Sequence, residues 1–397
     1  MIEPSTHLRN KCAVVGTGHS RLGKVPGVSA LGLLEEAMKN ALDDAGLNIT
    51  DVDGLICRGP DEIYTLHQVV GERLGINTTF STTLTNGGAS QVLGVALAVM
   101  AIDAGMASCV LVGYGRDNWS RVHANNENHL RASGRPQTME ISEFGPEFGY
   151  FGAVAAHAFG AQRHMHDFGT TREQFGAISV AFRKHALNNP DAVMKKNLSL
   201  EDYMEGRMIV APFGLYDCSL QTDGAGAVVV TSAERAKDLR QRPVYIKGFG
   251  TCNNLSGWFH EQNMTHTGAI QAGKTAYAMA GVGPRNIDVA QIYDCFTYMV
   301  LVQLEDYGFC KKGEGGDFVA SGALDLDGSI PTNTSGGQLS EAHVEGMLQV
   351  VKGPMAQRAL VLPGPARARD SGAKGGATWR VCCPRRVPLL LSQRRPP

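Results

Sequence analysis

Apolar positions recur along this chain in blocks that alternate between the strand period and the helix period. Residues 12–18 form an apolar run closing on Gly16-Thr17-Gly18, which predicts a buried strand. Leu31, Leu34, Ala37, Met38, Ala41 and Leu42 then share one face of a predicted helix. Ser29 caps that helix, Ala45 ends it, and Glu35, Glu36, Asp43 and Asp44 cover its other face. A second strand is predicted over 52–57 and a short helix over 65–74. Up to about Ala104, the helix that follows the Gly87-Gly88 pair is rich in Ala, Val, Leu and Met nearly all round, the pattern of a helix buried mid-protein. Residues 109–113 predict another buried strand. The pattern weakens over 119–162, an excursion from the core that ends in a helix over 153–166. Helices are predicted over 171–188, stopped by Asn189-Pro190, and over 200–208; residues 223–230 turn into a central strand.

The second half repeats the first. Val14-Val15-Gly16-Thr17-Gly18, a helix, Ala45-Gly46-Leu47 and Asp51-Val52-Asp53-Gly54-Leu55-Ile56 make one unit. Ile246-Lys247-Gly248-Phe249-Gly250, a helix, Ala280-Gly281-Val282-Gly283 and Ile287-Asp288-Val289-Ala290-Gln291-Ile292 make the other. Such a duplication predicts two α/β halves, 1–236 (with an excursion over about 119–208) and 243–351, joined by a basic linker at 237–242. The last segment, 352–397, differs in kind, with ten Lys and Arg against one acid, and seven prolines. Pro and Arg are excluded from central strands, so this composition reads as a frame-shifted tail beginning near Val351, the alternative being a basic tail that binds nucleic acid or lipid.

Composition narrows the class. The 397 residues are 43% hydrophobic, enough for two cores. A net charge of −1 gives no field to recruit nucleic acid, and no apolar run has the length of a membrane span. The N-terminus lacks a basic-then-apolar signal pattern, and the nine cysteines are scattered without a C-x-x-C pair. A cytoplasmic location with reduced thiols and no structural zinc is the expectation. His164, His166 and His185 lack a carboxylate or cysteine at zinc-like spacing and read as solvated helix faces, so no metal is expected.

Chemistry concentrates in three stretches. Gly87 and Gly88 open the apolar helix, where backbone N–H groups and the positive dipole end suit a thioester oxygen or enolate. Gly16-x-Gly18 lacks the third glycine and acid of a dinucleotide fingerprint and reads as turn glycines. Tyr293 and Asp294 end a predicted strand directly before a helix. Cys295 beside Phe296 reads as packing. Met264 to Thr267, with Trp258 and His260, are candidate pocket-lining residues.

The run from His164 to Thr171, Asn188-Asn189-Pro190, Thr222-Asp223-Gly224-Ala225 and Asn333-Thr334-Ser335-Gly336-Gly337 fall in the order and spacing of the thiolase superfamily. Between residues 12 and 351 the chain resembles that superfamily, and specifically its sterol-carrier, lipid-transfer-protein branch. The resemblance implies a five-layer αβαβα fold of two halves with two mixed sheets, a homodimer, and catalytic loops meeting between the halves. It also implies a small partner with an OB fold and zinc ribbon.

Three positions depart from a working thiolase. The nucleophilic cysteine is matched by Gly88, so no acyl-enzyme can form there. The family's His or Asn is matched by Tyr293, and its Gly-His-Pro by Ala342-His343-Val344. This pattern resembles the thiolase-like aldolases that shorten steroid side chains as CoA thioesters, although those usually carry a second tyrosine where this chain has His343. The resemblance implies retro-aldol cleavage of a β-hydroxyacyl-CoA, the CoA thioester being substrate and no cofactor being required. His343 suits the base and Tyr293 orients the hydroxyl or returns a proton, with Asp294 orienting loops. Backbone N–H groups near Gly87, Gly88, Gly336 and Gly337 are the candidate oxyanion donors. An acyltransferase or condensing enzyme with another nucleophile, and a non-catalytic acyl-CoA or sterol carrier, are the alternative readings.

Overall fold

The computed structural model describes residues 5–59, 63–125, 152–252 and 263–361. Residues 362–397, most of the anomalous tail, lie outside the described residues, as do Trp258 and His260. The first half is built on a six-stranded mixed sheet in the order β3-β2-β4-β7-β1-β8. The strands are β1 (Cys12–His19), β2 (Gly54–Arg58), β3 (Phe80–Leu84), β4 (Cys109–Asp117), β7 (Asp223–Ser232) and β8 (Val244–Tyr245). A two-stranded hairpin, β5 (Met208–Val210) and β6 (Phe213–Gly214), stands apart. β2 is parallel to β3 and β4, whereas β7 is antiparallel to both β1 and β4.

The side-chain period of two divides the central strands between two cores. Ala13, Val15, Cys109, Leu111, Ala225, Ala227 and Val229 face α1 (Ala30–Ala45) and α2 (Leu66–Leu74). Val14, Val110, Val112, Val228 and Val230 face the opposite way, toward α3 (Ser90–Asp103) and the C-terminal helix Met347–Val361. That last helix belongs to the second half in sequence, yet Met347 seats on Gly226 of β7. It thereby presents the loop before it, 341–346, to the end of the first half's sheet.

A third core is largely helical. It joins α4 (Gly152–Phe168), α5 (Arg172–Leu187) and the helix Thr297–Asp306 through Phe175, Phe182, Phe213, Phe296 and Tyr298. Thr171 and Gln174 cap α5 reciprocally, the expected start.

The duplication is visible atom by atom. Gly16 and Gly18 press against the α1 backbone at Ala41, where any Cβ would collide. Gly248 and Gly250 do the same against Ala276 and Ala272 of the helix Ala269–Ala280. Both helices end on a left-handed glycine, Gly46 and Gly281, followed by a single 3-10 turn at Ile49–Asp51 or Pro284–Asn286. The Gly16-Thr17-Gly18 glycines therefore serve close strand–helix packing.

Three expectations are modified. The predicted strand ending at Tyr293 is extended chain without a regular ladder: only Ala290 bridges to Thr332, and Phe296 to Cys218, among the described residues. Asn333 supplies the missing ladder contacts from its side chain. Its carboxamide accepts from the Ile292 N–H at 2.7 Å and donates to the Ile292 carbonyl at 2.8 Å. Helix α3 is not wholly enclosed either, since Val92 and Met100 are exposed at 52% and 39%. The C-terminal helix also runs past Val351, and Lys352, almost fully buried, pairs with Glu341 at 3.2 Å. Lys352 thus belongs to the folded body.

Candidate active site

The candidate residues converge where the end of β4 meets the loops at 293–296 and 341–346. Gly88 lies directly against the Tyr293 ring. A Cβ there would stand 2.8 Å from the Tyr293 hydroxyl oxygen and closer still to the ring carbons. Gly346 borders the same ring: a Cβ added there would lie 3.0 Å from Cδ2 and 3.3 Å from Cε2 of Tyr293. The space a nucleophilic side chain would need at position 88 is therefore filled by tyrosine. Burial raises the Tyr293 phenol well above its ordinary range, Cys295 and Glu345 add to the rise, and Arg116 opposes it.

His343 is held at several points. Its N–H donates to Thr222 Oγ1 at 2.9 Å, and that hydroxyl donates back to the His343 carbonyl at 3.2 Å. Nδ1 sits 3.1 Å from the Leu220 carbonyl and 3.3 Å from Ser219 Oγ. Nε2 lies 3.4 Å from Nη1 of Arg116. Burial and then the Arg116 charge hold the imidazole well below its ordinary range, with Leu220 opposing. His343 is consequently neutral near pH 7, which a general base requires.

Asp294 is fully buried and works as a strut. Its carboxylate accepts from the N–H of Gln338 at 3.0 Å, the N–H of Leu339 at 3.3 Å and the Gln349 amide at 2.6 Å. Burial pushes its acid up to about 7 despite those donors. It occupies the space a Cβ would take at Gly337, while the Gly336 N–H donates to the Asn333 carbonyl at 2.8 Å. Gly336 and Gly337, both left-handed, thus brace Asp294 and Asn333. Gly87 is also left-handed, with nothing near its missing Cβ.

Residues that sequence reasoning did not single out complete the site. Arg58 pairs with Glu345 at 3.3 Å and lies over the Tyr114 ring at 5.5 Å. Gln91 donates to the Glu345 carbonyl at 3.3 Å, and Gly346 donates to Gln338 Oε1 at 3.1 Å. Tyr114 and Arg116 lie on β4 past residue 113, where the predicted strand ends, and carrying its alternation onward was the available signal for where they point.

Other candidates resolve differently. The Cys295 thiol is buried and lies 3.9 Å from His157 Nε2. His166 is solvated as expected, but His164 and His185 are buried. His164 pairs with Glu305 at 3.1 Å, and His185 contacts the Asn333 carbonyl at 3.2 Å, so each ties a helix to a neighbouring element. Met264 is anchored through its carbonyl to the Tyr298 hydroxyl at 2.8 Å, and Thr265 through its carbonyl to Lys312 at 2.6 Å.

Residues 12–201 match the family described as thiolase, N-terminal domain, and residues 250–357 the thiolase C-terminal domain-like family. The chain belongs to the thiolase superfamily. A 17-hydroxy-3-oxo-4-pregnene-20-carboxyl-CoA lyase of Mycobacterium tuberculosis is 37% identical over 87% of this chain and 91% of the relative. A steroid side-chain-cleaving aldolase of Thermomonospora curvata is 36% identical over 86% of this chain and 88% of the relative. Among solved structures, an Ltp2-ChsH2(DUF35) aldolase superposes with a TM-score of 0.80 at 34% identity, covering 89% of this chain and 91% of that one. The fold is the thiolase fold, and the relatives at this identity are lyases and aldolases of that superfamily.

Proposed function

We propose that this thiolase-superfamily chain is a carbon–carbon lyase that cleaves a β-hydroxyacyl-CoA by a retro-aldol reaction, in lipid or sterol side-chain degradation. The observation that carries this reading is the Tyr293 ring against Gly88, which leaves no space for the thiolate on which thiolysis depends. In the proposed reaction, Nε2 of His343 takes the proton of the β-hydroxyl. The Cα–Cβ bond breaks as the hydroxyl carbon becomes a carbonyl, and its electron pair forms the thioester enolate. Tyr293 supplies a proton to the enolate carbon, giving the shortened acyl-CoA. Backbone N–H groups at Gly87 and Gly88, which open the helix, serve the thioester oxygen. The CoA thioester is substrate and no further cofactor enters.

The same proposal includes a homodimer, a cytoplasmic location and a small OB-fold, zinc-ribbon partner. The dimer reading is supported by β3, which forms an edge of the sheet, and by the exposed apolar residues of adjacent α3. The partner reading is supported by the aldolase structure, whose name includes a DUF35 component. Location is supported by the free thiols of the described cysteines; no described helix is long and apolar enough to cross a membrane. We also propose that the frame of the chain changes near Val351, within the C-terminal helix, a reading supported by the family match ending at residue 357.

The test is mass spectrometry of CoA products from a branched β-hydroxyacyl-CoA, with partner present and free CoA absent. A shortened acyl-CoA with a ketone, lost in Tyr293→Phe, is expected. Substrate bound but left intact, by this chain and by one with a repaired C-terminus, would sink the reading.

A further inference from the structure

Two acceptor–donor identities fix the state of His343. The Leu220 carbonyl can only accept, so Nδ1, at 3.1 Å, carries the hydrogen. A guanidinium can only donate, so Nε2, 3.4 Å from Arg116 Nη1, presents its bare lone pair. Arg116 stands near the end of β4, and its partner across the ladder is Gly224, near the start of β7. It is thus carried on the central sheet, whereas His343 rides on the loop before the C-terminal helix. The charge of Arg116 also reaches the Tyr293 phenol. One cation accordingly faces both groups assigned to proton transfer.

We propose that Arg116 is the positioning residue of this site: it holds Nε2 of His343 as a bare acceptor, and transfers its donor to the substrate's anionic oxygen as the proton moves. This inference rests on the lyase reading for its chemistry, but the pairing itself is independent of that reading. No electron or co-reactant is added. The hydrogen bond from Nη1 to Nε2 is exchanged for one from Nη1 to oxygen, and the proton of the β-hydroxyl passes to Nε2. Once the guanidinium turns to an anion, its charge no longer opposes an imidazolium, so the base strengthens when it is needed.

Among the described residues, the contacts around His343 separate neutral groups from one cation. Ser219, Leu220 and Thr222 contribute neutral contacts, and the Tyr293 phenol, raised well above its ordinary range, is protonated near pH 7. Glu345 is balanced by Arg58, 3.3 Å away. Burial favours the neutral ring, and Arg116 is the cation that adds to it.

The experiment is carbon-13 NMR of the full chain labelled at histidine Cε1, with His343→Gln identifying the resonance, alongside pH–rate profiles of the lyase reaction. In the parent chain the His343 signal stays neutral down to low pH. In Arg116→Gln its midpoint moves up toward that of an ordinary histidine, the acid limb of kcat/KM moves up with it, and kcat falls roughly 100–1,000-fold. Arg116→Lys, which keeps a cation, restores the parent midpoint and part of kcat. Arg116→Met provides the same comparison where the glutamine variant fails to fold. An unchanged His343 midpoint in both neutral variants overturns the proposal. A shifted midpoint in a chain that cleaves no β-hydroxyacyl-CoA overturns the lyase reading and leaves the pairing standing.

Discussion

At Gly88 the absent Cβ lets the Tyr293 ring lie against the backbone. The two residues form one unit, and their substitution costs are coupled. Gly88→Ala drives a methyl into the ring and is expected to cost about 1–3 kcal/mol by overpacking. In a Tyr293→Ala background the same change falls into vacated space and should cost far less. A double-mutant cycle by urea unfolding checks this; additive costs would show that the ring and glycine do not press on one another. Gly88→Cys alone is expected to abolish lyase turnover without introducing thiolysis, read as CoA-dependent acyl transfer. Position 88 was singled out in the sequence by a family resemblance that matches it to a cysteine. What fills its space was not, because the steric pairing joins residues about two hundred positions apart.

Among the elements, the segment ending at Tyr293 shows where pattern reading succeeds and where it stops. Its apolar residues and its abrupt passage into a helix were evident. Its hydrogen-bond partner was not, because a side-chain amide, Asn333, takes the place of a neighbouring strand. Nothing in the period of a sequence distinguishes those two ways of satisfying a backbone. Asn333→Ala would leave the Ile292 N–H and carbonyl without those partners in a buried place, a loss of about 1–3 kcal/mol. The prediction is a lowered unfolding midpoint together with faster hydrogen exchange at Ile292. Retained protection there would mean another group satisfies that amide. α3 departs for a related reason: an apolar helix in sequence is buried against something, and the pattern does not say whether that is the same chain or a second one. Ser29 and Gly46, by contrast, end α1 through local chemistry and were fully readable.

Across the whole molecule, buried titrating groups set opposing dependences on pH. His185 and His343 have imidazoles held below their ordinary range by burial, so the unfolded chain binds more protons than the folded one at acid pH. Their contribution is present above the ordinary histidine pKa and is lost as pH falls below about 6.5. Asp294 acts in the opposite sense. Its acid rises from 3.8 to about 7, so the folded chain binds the extra proton and loses stability as pH climbs through that interval. The net slope is a difference, and a variant isolates one side of it. His185→Gln should flatten the fall in unfolding temperature between neutral and mildly acid pH, relative to the parent chain. An identical slope in both would remove His185 from the account. The two-half architecture itself was legible, since the glycine spacings repeat. The crossing of the C-terminal helix onto the first half's sheet was not, because Met347 meets Gly226 only after both halves have formed.

The ring over Gly88 also bears on how such a protein can change through time. Two of the four glycine codons lie a single base change from cysteine, so from those codons one mutation places a thiol at position 88. With tyrosine already at position 293, that change meets a wall of aromatic carbon and yields neither old chemistry nor new. A thiol at position 88 would therefore need a second change, at position 293, to have room to act as a nucleophile.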